Sequence, residues 1–216
     1  MLNLRVFKFP MFSIGLLMVF LGMMIILSSS ILLPMYLKGG LLLSAFAAGL
    51  VLLPGGIVNG IMSPITGKLF DTFGPRYLVI PGFVLTTIFT YLFTNLTTGT
   101  TQLTVIIMHT CMFIGVAMIM MPSQTNGLNQ LPRQYYPDGA AVMNTLQQIA
   151  GAIGTAVAVS IMSAGQASYL ATAADPTNPL AVSEALTAGV QNAFMFALIA
   201  SIIGLVVSFF VKRVNV

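Results

Sequence analysis

Six apolar stretches of membrane-spanning length run through the sequence, and they leave few folds open to it. A bilayer's hydrocarbon core is about 30 Å thick, which a helix crosses with about 20 apolar residues. The stretches lie near residues 11–37, 44–69, 77–96, 103–123, 139–164 and 191–211. Hydrophobic residues make up 57% of the chain and charged residues 6%, against roughly 25% charged in a soluble domain. So few charges cannot cover a water-facing surface. The expected fold class is therefore all-α: one six-transmembrane-helix bundle over residues 1–216, with almost no soluble part. Pro54 and Pro64 fall in the second span and Pro81 in the third. Kinks there are tolerable, because neighbouring helices re-satisfy the freed backbone groups.

One connection reads as long, the outer loop at residues 166–190. It carries Asp175-Pro176, Asn178-Pro179 and Glu184, and Pro and Asn are loop residues. Ser183–Val190 within it reads as a possible short surface helix. Orientation follows from Lys and Arg placement. With the N-terminus inside, Arg5, Lys8, Lys68, Arg76, Arg133, Lys212 and Arg213 are cytoplasmic, and Lys38 alone is outside. Six spans return the C-terminus to the same side. The expected location is the plasma membrane, multi-pass, with both termini cytoplasmic.

The net charge of +4 is not a nucleic-acid footprint, since such a footprint clusters its cations on one face. The single cysteine, Cys111, excludes an intrachain disulfide and reads as a small buried hydrophobe. The first apolar run is longer than a signal-peptide core and reads as a true span. No internal tandem repeat is visible. Many transporters consist of two related six-helix halves, and this chain has the size of one.

The most specific segment joins the second and third spans: Gly67-Lys68-Leu69-Phe70-Asp71-Thr72-Phe73-Gly74-Pro75-Arg76. Gly74 suits a tight turn with positive φ. Asp71 suits nearby backbone donors, a helix N-terminus or Arg76. The segment resembles the cytoplasmic-loop signature of the major facilitator superfamily, G-x-L-x-D-R-x-G-R-R. Gly67, Leu69, Asp71, Gly74 and Arg76 match, while Thr72 and Pro75 depart from the usual basic residues. Leu53-Pro54-Gly55, Ser63-Pro64-Ile65-Thr66-Gly67, the run from Gly139 to Gln148 and the run from Gly151 to Ala156 extend the likeness. Their order is similar to the C-terminal six helices of the fourteen-helix multidrug:proton antiporters of EmrB/QacA type. The resemblance covers nearly the whole chain.

That resemblance implies one half of a proton-coupled multidrug exporter working by alternating access, with Gly67, Asp71, Gly74 and Arg76 as a conformational latch loop. The alternative reading of the loop is a tight turn and nothing more. The resemblance also implies that the proton-carrying acids lie chiefly in the missing N-terminal half. No Asp or Glu falls inside the six stretches. The energy source is then a proton gradient, with no cofactor. The start of the chain, Met1-Leu2-Asn3-Leu4-Arg5, reads against the family as sequence resuming after a loop.

The fifth span carries a polar stripe. Asn144, Gln147, Gln148, Gly151 and Thr155 fall on one helix face. Two readings are open: a lining of the substrate path, or amides holding helices together. His109 lies about a third of the way into the fourth span from its outer end. It is either a titrating group or, the favoured reading, a neutral histidine bonded to a carbonyl or amide. Met112, Phe113 and Met120 are added to the expected substrate path. Small residues spaced by four at Gly56–Gly60, Ala150–Gly154 and Gly154–Ala158 read as close helix packing. The fifteen methionines suit a deformable apolar lining.

The sequence carries no metal cluster, no nucleophile beside a base and no phosphate loop, so no enzyme is expected. The expected partners are the lipid bilayer, a missing half or a second copy of the chain, and a hydrophobic or cationic drug-like substrate. The alternative function is a non-transporting membrane interaction protein, or a remnant that needs a partner half. Alone, such a chain is expected to oligomerise or be degraded.

Overall fold

The computed structural model describes residues 4–212. Its six long helices are α1 (Pro10–Met35), α2 (Ala45–Phe73), α3 (Arg76–Phe93), α4 (Gln102–Asn129), α5 (Tyr136–Thr172) and α6 (Pro179–Ser208). Each is long and apolar enough to cross a membrane. Arg213 and residues 1–3, which entered the charge asymmetry and the reading of the chain's start, lie outside the described residues.

Local chemistry sets several helix starts. The Ser44 hydroxyl accepts from the Ala47 N–H at 3.2 Å, and the Thr101 hydroxyl from the Thr104 N–H at 3.3 Å. Each satisfies an amide that has no partner within its helix. Pro54 and Pro64 sit inside α2, Pro81 inside α3, Pro34 inside α1 and Pro122 inside α4, and none ends its helix. Past Pro34 the backbone of α1 widens into a π turn, Tyr36–Gly40. Two bonds hold that end in place, and a third ties α6 to the connection between α3 and α4. The Tyr36 hydroxyl donates to the Thr97 carbonyl at 2.6 Å, and the Ser183 hydroxyl to the Gly40 carbonyl at 2.8 Å. The Gln191 amide donates to the Leu96 carbonyl nearby.

α1 packs against α4, α5 and α6; α4 packs against α1, α2 and α3. Exchanging α1–α3 with α4–α6 maps this pattern onto itself: α1–α5 corresponds to α2–α4, and α1–α6 to α3–α4. Because consecutive spans alternate direction, the two triplets are inverted relative to each other, as in many transporter folds. One pair departs from the pattern. α5 and α6 are in extensive contact, whereas α2 and α3 barely touch. Accordingly, 17% of the apolar window of α2 is buried within the chain, against 61% for α1 with its π turn.

One apolar cluster fills the end of the bundle remote from the chain termini. It is built on Tyr36, Leu37, Phe93, Leu96, Met112 and Phe194, with the Phe93 and Phe194 rings stacked at 4.8 Å. A second, near the chain ends, gathers Val6, Phe12, Leu16, Leu131, Val142 and Met143.

The long outer loop at residues 166–190 is a correction. α5 continues to Thr172 and α6 begins at Pro179, so six residues, 173–178, lie outside the helices. The Pro and Asn there initiate a helix instead of extending a loop. Asn178 caps α6, its side chain accepting from the Leu180 N–H at 2.9 Å, and Pro179 takes the first helical position. Ser183–Val190 accordingly belongs to α6. Glu184 is a helix residue whose carboxylate accepts from the Tyr169 hydroxyl of α5 at 2.7 Å.

Candidate functional site

A cavity of about 490 Å³ opens between α1, α2 and α4, lined by Ile26, Asn59, Ser63, Pro64, Val116, Ala117, Met120, Met121 and Gln124. Its wall is mostly apolar with a few amide and hydroxyl groups, the usual make-up of a small-molecule site. α2 supplies Asn59 and Ser63 one helical turn apart. The Asn59 amide donates to the Phe113 carbonyl of α4 at 3.1 Å, tying the two helices at this level. The Ser63 hydroxyl donates to the Asn59 carbonyl at 3.0 Å, which leaves its lone pairs for a guest. Gln124 is half-buried. No lining residue carries a charge, so the cavity offers neutral hydrogen bonds and polarisable sulfur.

Of the residues expected on a substrate path, Met120 lines this cavity. Phe113 does not line it, but its carbonyl accepts from the lining residue Asn59, and its ring lies 4.4 Å from that of His109. His109 is 6% exposed and fills the space that the missing side chain of Gly55 leaves on α2. Its Nδ1 is buried with no hydrogen-bond partner, so the carbonyl or amide bond expected of a neutral histidine is absent at that atom. Met112 is a correction. It is fully buried in the core, where the hydroxyls of Ser29 and Thr90 approach its sulfur at 4.0 and 3.9 Å.

The polar stripe of α5 does not face the cavity as a unit. Gly151 is turned into α1, where Leu27 occupies the space a side chain would need. Asn144 and Gln148 are exposed, and Gln147 and Thr155 are half-buried. The Gln147 side-chain nitrogen is buried without a partner.

Asn59, Ser63 and Gln124 were not expected at the site. Asn59 had a signal, a lone amide in the apolar run Ile57-Val58-Asn59-Gly60-Ile61, since intramembrane polar residues face interiors. Gln124 lay one residue past the expected end of the fourth span, whereas α4 runs to Asn129.

The small-residue pairs divide. Gly154 lets α5 approach α1: a Cβ there would lie 2.8 Å from the Met24 Cα. Gly56 and Gly60, together with Gly49, face open space with nothing within 4 Å, so close packing within the chain is not their role. At the α2–α3 turn Gly74 takes φ 82° and its N–H bonds the Phe70 carbonyl, closing α2 in a conformation that favours glycine. Asp71 and Arg76 flank this turn, both exposed.

A bundle of six apolar, membrane-length helices around a cavity lined by neutral groups defines the class: a multi-pass α-helical membrane protein. The Major Facilitator Superfamily model matches residues 2–155, and the chain belongs to that family. It is 65% identical over all of its 216 residues to the lincomycin resistance protein LmrB of Bacillus subtilis, of which it covers 45%. The LmrB of Listeria innocua is 57% identical over 213 residues, again with 45% of that protein covered. The multidrug export protein EmrB of Escherichia coli is more distant, 28% identical over 182 residues. The chain thus spans less than half the length of these relatives, and its fold is a six-helix half of the major-facilitator architecture.

Proposed function

We propose that this chain is the C-terminal half of a proton-coupled multidrug efflux transporter, working by alternating access in the plasma membrane with both termini cytoplasmic. The observation that carries the reading is the unpartnered face of α2. Gly49, Gly56 and Gly60 open onto nothing, beside a cavity that α2 helps to line. In lipid such glycines allow close approach by another helix, and the relatives, more than twice as long, have further chain to supply one. The likeness to lincomycin and multidrug resistance proteins supports an apolar or cationic drug-like substrate.

In this reading the two halves rock about the midplane and expose the cavity to each side in turn. Asn59, Ser63 and Gln124 offer neutral hydrogen bonds to the guest, and Met120 and Met121 adapt to its shape. Asn144, Gln147, Gln148 and Thr155 face the shared cavity once the partner closes over α5. His109 and Phe113 fix the position of α2 against α4. Gly67, Asp71, Gly74 and Arg76 form the latch between halves. The proton-carrying acid comes from the other half.

The test is ethidium efflux in cells stripped of their own exporters, expressing this chain alone and with the N-terminal half of a related exporter. Uncoupler-sensitive efflux on co-expression only is the expected result. Absence of efflux with both chains present in the membrane would leave a non-transporting interaction protein. Efflux from this chain alone would replace the half-transporter with a self-sufficient oligomer.

A further inference from the structure

The bundle face that carries the chain ends holds a separate recess of about 340 Å³. It is framed by Phe73, Gly74, Pro75, Arg76 and Tyr77 at the α2–α3 turn and by Val211 and Lys212 beyond α6. Two of its side chains are cationic and none is acidic; Asp71, on the last turn of α2, does not line it.

The backbone beneath the two cations is fixed, while their side chains are exposed. Val211 is 2% exposed, packed with Met18, Val79, Phe83 and Ile119. The Lys212 carbonyl accepts a hydrogen bond from the buried Asn126 amide at 3.3 Å. The backbone carrying the Lys212 ammonium is therefore anchored on both sides of the Val211–Lys212 peptide. Arg76 is the first residue of α3, an 18-residue helix whose N-cap, Pro75, makes no side-chain cap bond. The positive end of that helix thus opens into the same recess as the two side-chain cations. Gly74, at φ 82°, makes the bend that sets Pro75 and Arg76 there.

The rim has a second character. Tyr77 is 74% exposed and Phe73 56% exposed, and Phe209 and Phe210 stand exposed at the end of α6. A tyrosine at the end of a spanning helix sits at headgroup depth, and the phenylalanines beside Tyr77 add apolar surface for the chain below it. A recess with two cations and a helix N-terminus that has no side-chain cap suits an anionic group such as a phosphate. Free phosphate would not use the aromatic collar, whereas a lipid's glycerol and upper acyl chain would.

We propose that this recess binds the headgroup phosphate of an anionic phospholipid, with Arg76 and Lys212 as its cationic ligands and Phe73 and Tyr77 against the lipid backbone. Arg76 can meet two phosphate oxygens at once, and Lys212 adds a point charge. Basic recesses between helices at the membrane surface hold such headgroups. The site is separate from the cavity but shares Gly74 and Arg76 with the proposed latch loop, and its test reads lipid retention, which does not require transport.

The test uses the full chain in mild detergent, with native mass spectrometry counting bound phosphatidylglycerol and phosphatidylcholine. Preferential retention of phosphatidylglycerol is expected, falling to the phosphatidylcholine level in the R76Q/K212Q pair. The K68Q/R133Q pair removes the same charge from the same face and should leave retention unchanged. Undiminished retention in R76Q/K212Q, or equal loss in both pairs, overturns the site. Should R76Q/K212Q not fold, Tyr77→Trp gives an independent reading, because the native chain has no tryptophan. Brominated phosphatidylglycerol should quench it more strongly than brominated phosphatidylcholine, and equal quenching overturns the proposal. Saturable binding of radiolabelled inorganic phosphate to lipid-stripped chain overturns the lipid assignment in favour of a soluble anion.

Discussion

The hairpins α2–α3 and α5–α6 occupy corresponding places in the two helix triplets, yet one is splayed and the other zipped. Along α5–α6, Gly165 and Gly189 meet: a Cβ on Gly165 would lie 3.0 Å from the Gly189 Cα, and one on Gly189 would overlap the Met162 carbonyl oxygen. The Tyr169–Glu184 bond closes the mouth. Along α2–α3 the connection is shorter, residues 74–75, but α2 leaves α3 and lies on α4. Its glycines at 49, 56 and 60 meet nothing. Small residues close a helix pair only where the opposing backbone is there to receive them. The same composition therefore means packing on α5 and an open face on α2.

The largest expected effect tests the zipped side. Gly189→Leu forces a side chain into backbone and should destabilise the chain by about 3 kcal/mol, read as a lowered unfolding midpoint in detergent. Gly56→Leu is the matching change on the open side. It should leave that midpoint unchanged or slightly raised, yet reduce co-expressed efflux to the level of cells lacking the chain. Equal thermal losses from the two changes would break the comparison.

Asn59→Ala removes the bond holding α2 to the Phe113 carbonyl, and should cost about 1 kcal/mol, within the range for interhelical hydrogen bonds. Faster amide exchange in α2 than in α5 is its signature. Gly56→Ala, with room for its methyl, should raise the stability of the isolated chain by up to about 1 kcal/mol through helix propensity. A loss would mean that the α2 face is already occupied, for instance by a second copy.

The smallest effect lies at the α5–α6 connection. The Thr177 hydroxyl and N–H donate to the Asp175 carboxylate at 2.6 and 3.0 Å and hold its pKa below the usual value. A depressed folded pKa gives stability that is fully present above the unfolded value, about 3.9. It is lost as pH falls through the lower folded value. The protection factor of the Thr177 amide, its exchange rate relative to the intrinsic rate at the same pH, should fall on acidification through that window, and Asp175→Asn should abolish that fall.

The sequence showed the six spans because each apolar run satisfies its own backbone, a local property that composition reports. It showed the turn at Gly74 because one residue type favours that conformation. It did not show that α2 lies on α4 and leaves α3, since Asn59 finds its partner 54 residues away. The α5 stripe was misleading for a related reason. Helical spacing places Gly151 with Gln148, but only the position of α1 decides that Gly151 is covered by Leu27 while Gln148 stays exposed. Helix ends were misjudged where Pro and Asn were taken as loop residues. At the start of α6 they do the opposite work.

The exchange of α1–α3 with α4–α6 has a geometric consequence. A body that maps onto itself by a half-turn in the membrane plane looks the same when flipped end over end. A visitor from either side would meet the same landscape, and nothing in such packing could favour one direction of travel. The splayed hairpin removes that equivalence. By parting from α3, α2 gives the bundle a top and a bottom, which any one-way device needs before a gradient can drive it.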